Sequence, residues 1–114
     1  KCCVKQSILG TYSANTYIAM DEQTAIAFAS RYVKYSFSEY DEYVQASLED
    51  FLNLQNGLFT VNVSNDSSTE LTLDPPAQIT DDKLSFSVST GHIPILYPFG
   101  ELHFFIELLQ SPEA

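Results

Sequence analysis

The chain has no tryptophan, one methionine, four glycines and two cysteines, and only five Lys or Arg against fifteen carboxylates. Each scarcity excludes something. The cysteines, Cys2 and Cys3, are neighbours, and a trans peptide holds adjacent Cα atoms closer than a disulfide prefers. No disulfide framework can be drawn, which favours a reducing, intracellular compartment, nuclear or cytoplasmic. Two sequons, Asn62-Val63-Ser64 and Asn65-Asp66-Ser67, point the other way, but a chain with five Asn and many Ser produces such triplets by chance. The glycines (Gly10, Gly57, Gly91, Gly100) never cluster, so no phosphate-cradling loop is written, and G-x-S-x-G is missing. Cys2, Cys3, His92 and His103 lack the spacing that sets two metal ligands on one face. Neither a metal nor another cofactor is expected. No run of about 18 apolar residues occurs, so no membrane span is expected.

The net charge is −10, and it is uneven. Residues 1–34 hold Lys1, Lys5, Arg31 and Lys34 against Asp21 and Glu22, while residues 35–114 set Lys83 against thirteen carboxylates. Direct nucleic-acid binding is disfavoured except through residues 1–34, and a basic partner would be attracted. At 114 residues, 45% of them apolar, the chain is expected to form one globular domain spanning 1–114. Because it starts at Lys1 and not Met, it is expected to be processed or a fragment of a longer chain.

The segment with the fullest helix signal is Ser47 to Gly57. Ser47 and Asp50 stand in capping-box spacing, Glu49 and Asp50 suit the positive end of the dipole, and Gly57 can take the left-handed stop. Leu48, Phe51 and Leu52 share a face at i, i+3, i+4. A second reading starts a longer helix at Ser38 and puts Tyr40, Tyr43, Val44, Ser47, Leu48, Phe51, Leu52 and Gln55 on one side. Elsewhere period two prevails. Cys3–Leu9 and Thr16–Met20 read as strands. Thr24–Tyr32 puts Ile26, Phe28 and Tyr32 on one face and Ala25, Ala27 and Ala29 on the other, which favours a strand; alanine's helix propensity makes a helix over 24–33 the competitor. Phe59, Val61 and Val63 predict a strand that pairs with Leu71–Leu73 as a hairpin, and Asp74-Pro75-Pro76 ends it. Leu84, Phe86 and Val88 alternate with serines. Ile93–Tyr97 extends, with Pro94 suited to an edge. Leu102–Leu109 is apolar on both faces, so it is central in the sheet or covered by a partner. The expected fold is α+β, a largely antiparallel sheet with one main short helix, about 47–56, packed on it.

Chemistry is hard to find. Asp21-Glu22, Asp41-Glu42, Glu49-Asp50 and Asp81-Asp82 all fall at turns or helix starts, where acids are structurally favourable, and no spacing makes two of them converge. Arg31-Tyr32-Val33-Lys34-Tyr35 interleaves cations with aromatics, so Arg31 and Lys34 are candidates for phosphate contact; a strand showing two cations to solvent explains the same pattern.

The order of features from Thr24 to Leu73 resembles one domain of the ring-forming DNA sliding clamps, the proliferating-cell-nuclear-antigen and checkpoint-clamp type. The pieces are Ala25–Phe28, Phe37-Ser38-Glu39-Tyr40, Val44–Ala46, Leu48–Leu54, Phe59–Val63 and Leu71–Leu73. Lys83–Leu109, with Ile93-Pro94-Ile95 and Gly100–Ile106, is similar to the closing strands of a clamp's second domain. The resemblance implies a subunit that joins neighbours edge to edge in replication or checkpoint complexes. Residues 48–56 carry no Lys or Arg, unlike clamp helices that face DNA. The function expected is therefore a non-enzymatic assembly module binding another protein chain, as homo- or hetero-oligomer. Phe104, Phe105, Ile106 and Leu109 are its interface candidates, with Tyr40 and Tyr43 at the rim; core filling is the plainer explanation for them. Two rivals stand beside it. An acidic inhibitor or immunity-type protein would expose Asp41, Glu42, Glu49 and Asp50 on one ridge, and a small enzyme would need a pocket in the sheet's concavity.

Overall fold

Alternation of small and apolar residues with polar ones makes the first twenty residues a hairpin. The structure, a computed structural model, describes residues 2–66, 69–80 and 90–109. Strands β1 (Cys2–Gly10) and β2 (Ser13–Met20) pair antiparallel, with Val4 opposite Ile18 and Gln6 opposite Thr16. Two helices follow, α1 (Glu22–Val33) and α2 (Glu42–Asp66). The chain then returns to the far side of β1 as β3 (Leu71–Leu73) and β4 (Ala77–Ile79). Asp74-Pro75-Pro76 splits that edge in two, because proline has no N–H to offer the ladder. A second hairpin, β5 (Thr90–Tyr97) and β6 (Gly100–Leu109), closes the sheet, β6 lying beside β2. The order is β3-β1-β2-β6-β5, with β4 also on β1, and every pairing is antiparallel. This is an α+β fold with an antiparallel sheet.

Both helices differ from expectation, for a common reason. Ala25, Phe28 and Ala29 are all buried, at i, i+3, i+4, and Asp21 caps them by accepting from the Thr24 N–H at 2.8 Å. Residues 24–32 are therefore helix and not strand: the alanines that read as a second strand face are the close-packed side of α1. The helix stops at Lys34, whose φ of 57° is left-handed and whose N–H reaches the Ser30 carbonyl. In α2, Asp41 is the cap, accepting from the N–H groups of Tyr43 and Val44 at 3.0 and 3.1 Å, so neither Ser38 nor Ser47 starts the helix. Val44, Leu48, Leu52, Asn56 and Thr60 form one continuous buried ridge at i+4 spacing. That ridge carries the helix straight through Gly57, so the short helix 47–56 is part of one of 25 residues. The strand expected at 59–63 is its last turns, and Leu71–Leu73 pairs with β1 instead.

The main core lies between helices and sheet: Val4, Ile18, Met20, Ala25, Phe28, Val44, Leu48, Leu52 and Leu102. Burying each large apolar side chain there contributes about 1.5–3 kcal/mol. The other sheet face holds a smaller cluster, Cys3, Tyr17 and Ala19, with Ile79 and Phe105 against it. Cys2 and Cys3 point to opposite faces, and neither is in a disulfide. Strand β6 is interior, between β2 and β5, which accounts for apolar residues on both its sides; among the described residues β5, which holds Pro94, is the edge on that side. The turns expected at Asp81-Asp82 and the strand at Leu84–Val88 lie outside the described residues. Among the described residues no helix is long and apolar enough to cross a membrane.

Candidate functional site

A polar residue in an apolar row is where a fold spends stability on something else. Three such residues meet beneath α2. Gln6 interrupts the row Cys2, Val4, Ile8 on β1; Thr16 stands between Ala14 and Ile18 on β2; Asn56 continues the ridge of Leu48 and Leu52 on α2. All three are at most 4% exposed. They are fully paired with one another. Thr16 donates its hydroxyl proton to the Gln6 carbonyl at 2.9 Å, and Asn56 Nδ2 donates to Thr16 Oγ1 and Gln6 Oε1, both at 2.8 Å. Gln6 Nε2 donates to the Asp74 carbonyl at 2.8 Å and to Asn53 Oδ1 at 2.6 Å. Asn53 is itself exposed, so the buried network surfaces at that one side chain.

Asp50 lies one turn earlier on the same exposed side. Residues three apart on a helix stand roughly 5–6 Å apart at Cβ. Tyr32, on α1, donates its hydroxyl to Asp50 Oδ2 at 2.7 Å. That hydrogen bond, above all, raises the Tyr32 pKa and keeps it a donor. Ala46 and Gly57 complete the lane, and a Cβ added at Gly57 would meet nothing. The crest of α2 thus shows solvent a carboxylate, a carboxamide and no bulky side chain between Ala46 and Gly57 along this line. Beside it, between the end of α1 and the start of α2, is an open depression of about 770 Å³ with Tyr32, Tyr35, Phe37, Tyr43 and Asp50 in its walls.

The residues singled out from sequence do not form one surface. Phe104 and Ile106 face the helices and line a groove of about 410 Å³ with Phe59 and Ile93. Phe105 faces away, against the smaller cluster, stacked on His92 at 4.5 Å; Leu109 shares that side of β6, 40% exposed. Tyr40 is half-buried, its hydroxyl 3.5 Å from Gln78 Oε1, and burial first, then the nearby Cys2, push its pKa up to about 12. Tyr43 is exposed on α2. Arg31 lies over the Phe99 ring at 4.3 Å and donates to the Ala27 carbonyl, while Lys34 ends α1 through its backbone and is exposed. His92 and His103 do meet, Nε2 to Nδ1 at 2.8 Å, and His103 Nε2 is 2.9 Å from Glu101, so both His103 ring nitrogens already have partners. Among the described residues no group of three ligating side chains could hold a metal. The acidic ridge required by an inhibitor is not built either. Asp41 is a cap, Glu49 accepts from Gln78 Nε2 at 2.7 Å on the β4 side, and Asp50 accepts from Tyr32.

By sequence the chain matches no family model and no curated protein. By fold it is similar to chemotaxis proteins of the CheX and CheC-like kind. Against the crystal structure of a CheX–CheY–BeF3–Mg2+ complex from Borrelia burgdorferi, the TM-score is 0.79 at 20% identity, covering 96% of this chain and 76% of that one. CheX from Vibrio vulnificus gives 0.78 at 13% identity, over 95% and 75%. A CheC-like protein from Shewanella oneidensis gives 0.82 at 10% identity, over 95% and 73%. These likenesses overturn the sliding-clamp resemblance and, with it, the replication and checkpoint role. The clamp comparison depended on strands at 24–32 and 59–63, and both are helix. The same neighbours lend nothing to the acidic inhibitor. A protein partner, by contrast, is present for one of them, CheX with CheY.

Proposed function

We propose that this chain is a chemotaxis-type signalling domain that docks a CheY-like partner on the exposed crest of α2 and hydrolyses the partner's phosphoryl group. The observation that carries the reading is the pair Asp50 and Asn53, held by Tyr32 and Gln6 on the exposed side of α2. Support comes from the fold's likeness to a CheX seen bound to CheY with BeF3 and Mg2+. BeF3 stands in for a tetrahedral phosphoryl group on an oxygen, so the partner in that complex carries a mimic of its phosphorylated state. Phosphoryl transfer asks little covalent chemistry of a protein and depends on positioning, and a carboxamide or carboxylate that orients the attacking water is a recurrent part. In this reading Asn53 Nδ2 holds the water by donation and Asp50 accepts its proton. Water oxygen bonds to phosphorus, the bond to the partner's carboxylate oxygen breaks with its electron pair, and inorganic phosphate leaves. Any Mg2+ belongs to the partner.

This goes beyond the non-enzymatic module expected from sequence, because catalysis here needs no pocket of the chain's own: the partner supplies half the site. The domain works inside the cell, in keeping with Cys2 and Cys3 on β1 not being joined in a disulfide. The test is phosphate release from a phosphorylated CheY-like receiver, with and without the domain. The expected result is acceleration by wild type, lost in Asn53→Ala and Asp50→Ala, with both variants still binding the BeF3-loaded receiver. Binding without acceleration would confine the role to docking, and absence of both would overturn it.

A further inference from the structure

The network under α2 has a direction, and the direction is set at both ends by backbone. Thr16 has one hydroxyl proton, and it goes to the Gln6 carbonyl. Its oxygen must therefore accept from Asn56, which makes the facing atom Nδ2, and the same Nδ2 supplies the proton that Gln6 Oε1 accepts. That leaves Gln6 its Nε2 for the other side, where the Asp74 carbonyl can only accept. The last contact then has one solution: Asn53 meets Gln6 with Oδ1 and keeps both Nδ2 protons for solvent or a partner. Reversing the Asn53 amide would set Nδ2 against Nε2, two donors facing each other. The reversal cannot be passed down the chain, since both anchoring carbonyls are fixed acceptors.

We infer that Gln6 is a positioning residue, which holds the Asn53 carboxamide in one orientation with its donors outward, and that Thr16 and Asn56 hold Gln6. The inference rests on the proposed role of Asn53. It explains why the fold buries two amides and a hydroxyl among Val4, Ile18 and Leu52, where apolar residues of the same shape would pack as well. The arrangement is preorganisation: the donor is aimed before the partner arrives.

The test uses Gln6→Met, close in shape and without a donor, and Thr16→Val, which removes the far anchor in case the first variant does not fold. Two readouts are taken on the whole domain. The first needs no partner: the order of the Asn53 side-chain amide by NMR relaxation, its resonance assigned by its loss in Asn53→Asp. Wild type is expected to show a rigid amide and both variants an averaged one. The second is phosphate release, where Gln6→Met should slow the maximal rate about tenfold, the loss of one oriented hydrogen bond, at an unchanged half-saturating receiver concentration. An Asn53 amide as rigid in the variants as in wild type would overturn the inference, as would a rise in half-saturation with the maximal rate intact. Should wild type release no phosphate, the functional reading fails, and amide order alone decides whether Gln6 positions Asn53.

Discussion

At the scale of single residues, location along the α2 ridge decides what a substitution costs. Leu48 is fully buried on that ridge, whereas Leu58 is 54% exposed on the outer side of the same helix. Leu48→Ala should destabilise by about 2–5 kcal/mol and Leu58→Ala by no more than about 0.5 kcal/mol, read from urea midpoints at constant slope. The same geometry separates Glu49 from Asp50, adjacent in sequence and turned to different neighbours, Gln78 and Tyr32. That split was not legible beforehand. It depends on where the helix begins, and the cap proved to be Asp41. Gln6, Thr16 and Asn56 were missed from sequence although a signal is there: Gln6 and Thr16 break period-two patterns in β1 and β2, and Asn56 follows Leu48 and Leu52 at helical spacing. What they surround leaves no such signal, since Asn53 and Asn56 lie 47 and 50 positions from Gln6.

At the scale of elements, glycines mark the difference between a stop and a gap. Gly57 fits a helix end from sequence, yet it lies inside α2 with open space where a Cβ would go, so Gly57→Ala should stabilise the domain by about 0.5–1 kcal/mol. Gly100 opens β6 at φ +154°, and a Cβ there would run into the Thr24 side chain at the start of α1. Gly100→Ala should therefore lower the thermal midpoint, a change of sign that calorimetry of the two variants checks. The helices were misread where they are short on bulk. Residues 24–32 satisfy period two as well as period 3.6 when every second residue is alanine, and only packing selects between them. The strands with bulky alternation, β1, β2, β5 and β6, fell where expected.

At the scale of the whole molecule, a buried and a half-buried tyrosine, Tyr17 and Tyr40, couple its stability to alkaline pH. Burial first, then Glu107, pushes Tyr17 up to about 12, and Tyr40 on the β4 side stands at about 12 as well. Both folded values lie above the ordinary phenol near 10. The fold thus favours the neutral phenols: their contribution is complete below about pH 10 and is lost as pH rises through 10 to 12. Unfolding should steepen in that window, followed by tyrosinate absorbance alongside circular dichroism, and Tyr17→Phe with Tyr40→Phe should flatten it. Among the described residues, the split proline edge at β3 and β4, together with Pro94 on β5, also leaves the sheet poorly suited to edge-to-edge addition of another chain. This is a physical reason, beyond the fold comparison, why a ring-forming assembly does not suit the chain.

Taken alone, the amino-acid order determined the α+β class, the four long strands, the lack of a disulfide between Cys2 and Cys3 and the acidic balance, because strand alternation, cysteine spacing and charge are local properties of a chain. Tertiary structure decided the rest: that residues 24–32 coil, that α2 passes through Gly57, and that Gln6, Thr16 and Asn56 converge under Asn53. Those outcomes turn on which face another element covers, and burial by a distant segment is not written in the neighbourhood it acts on.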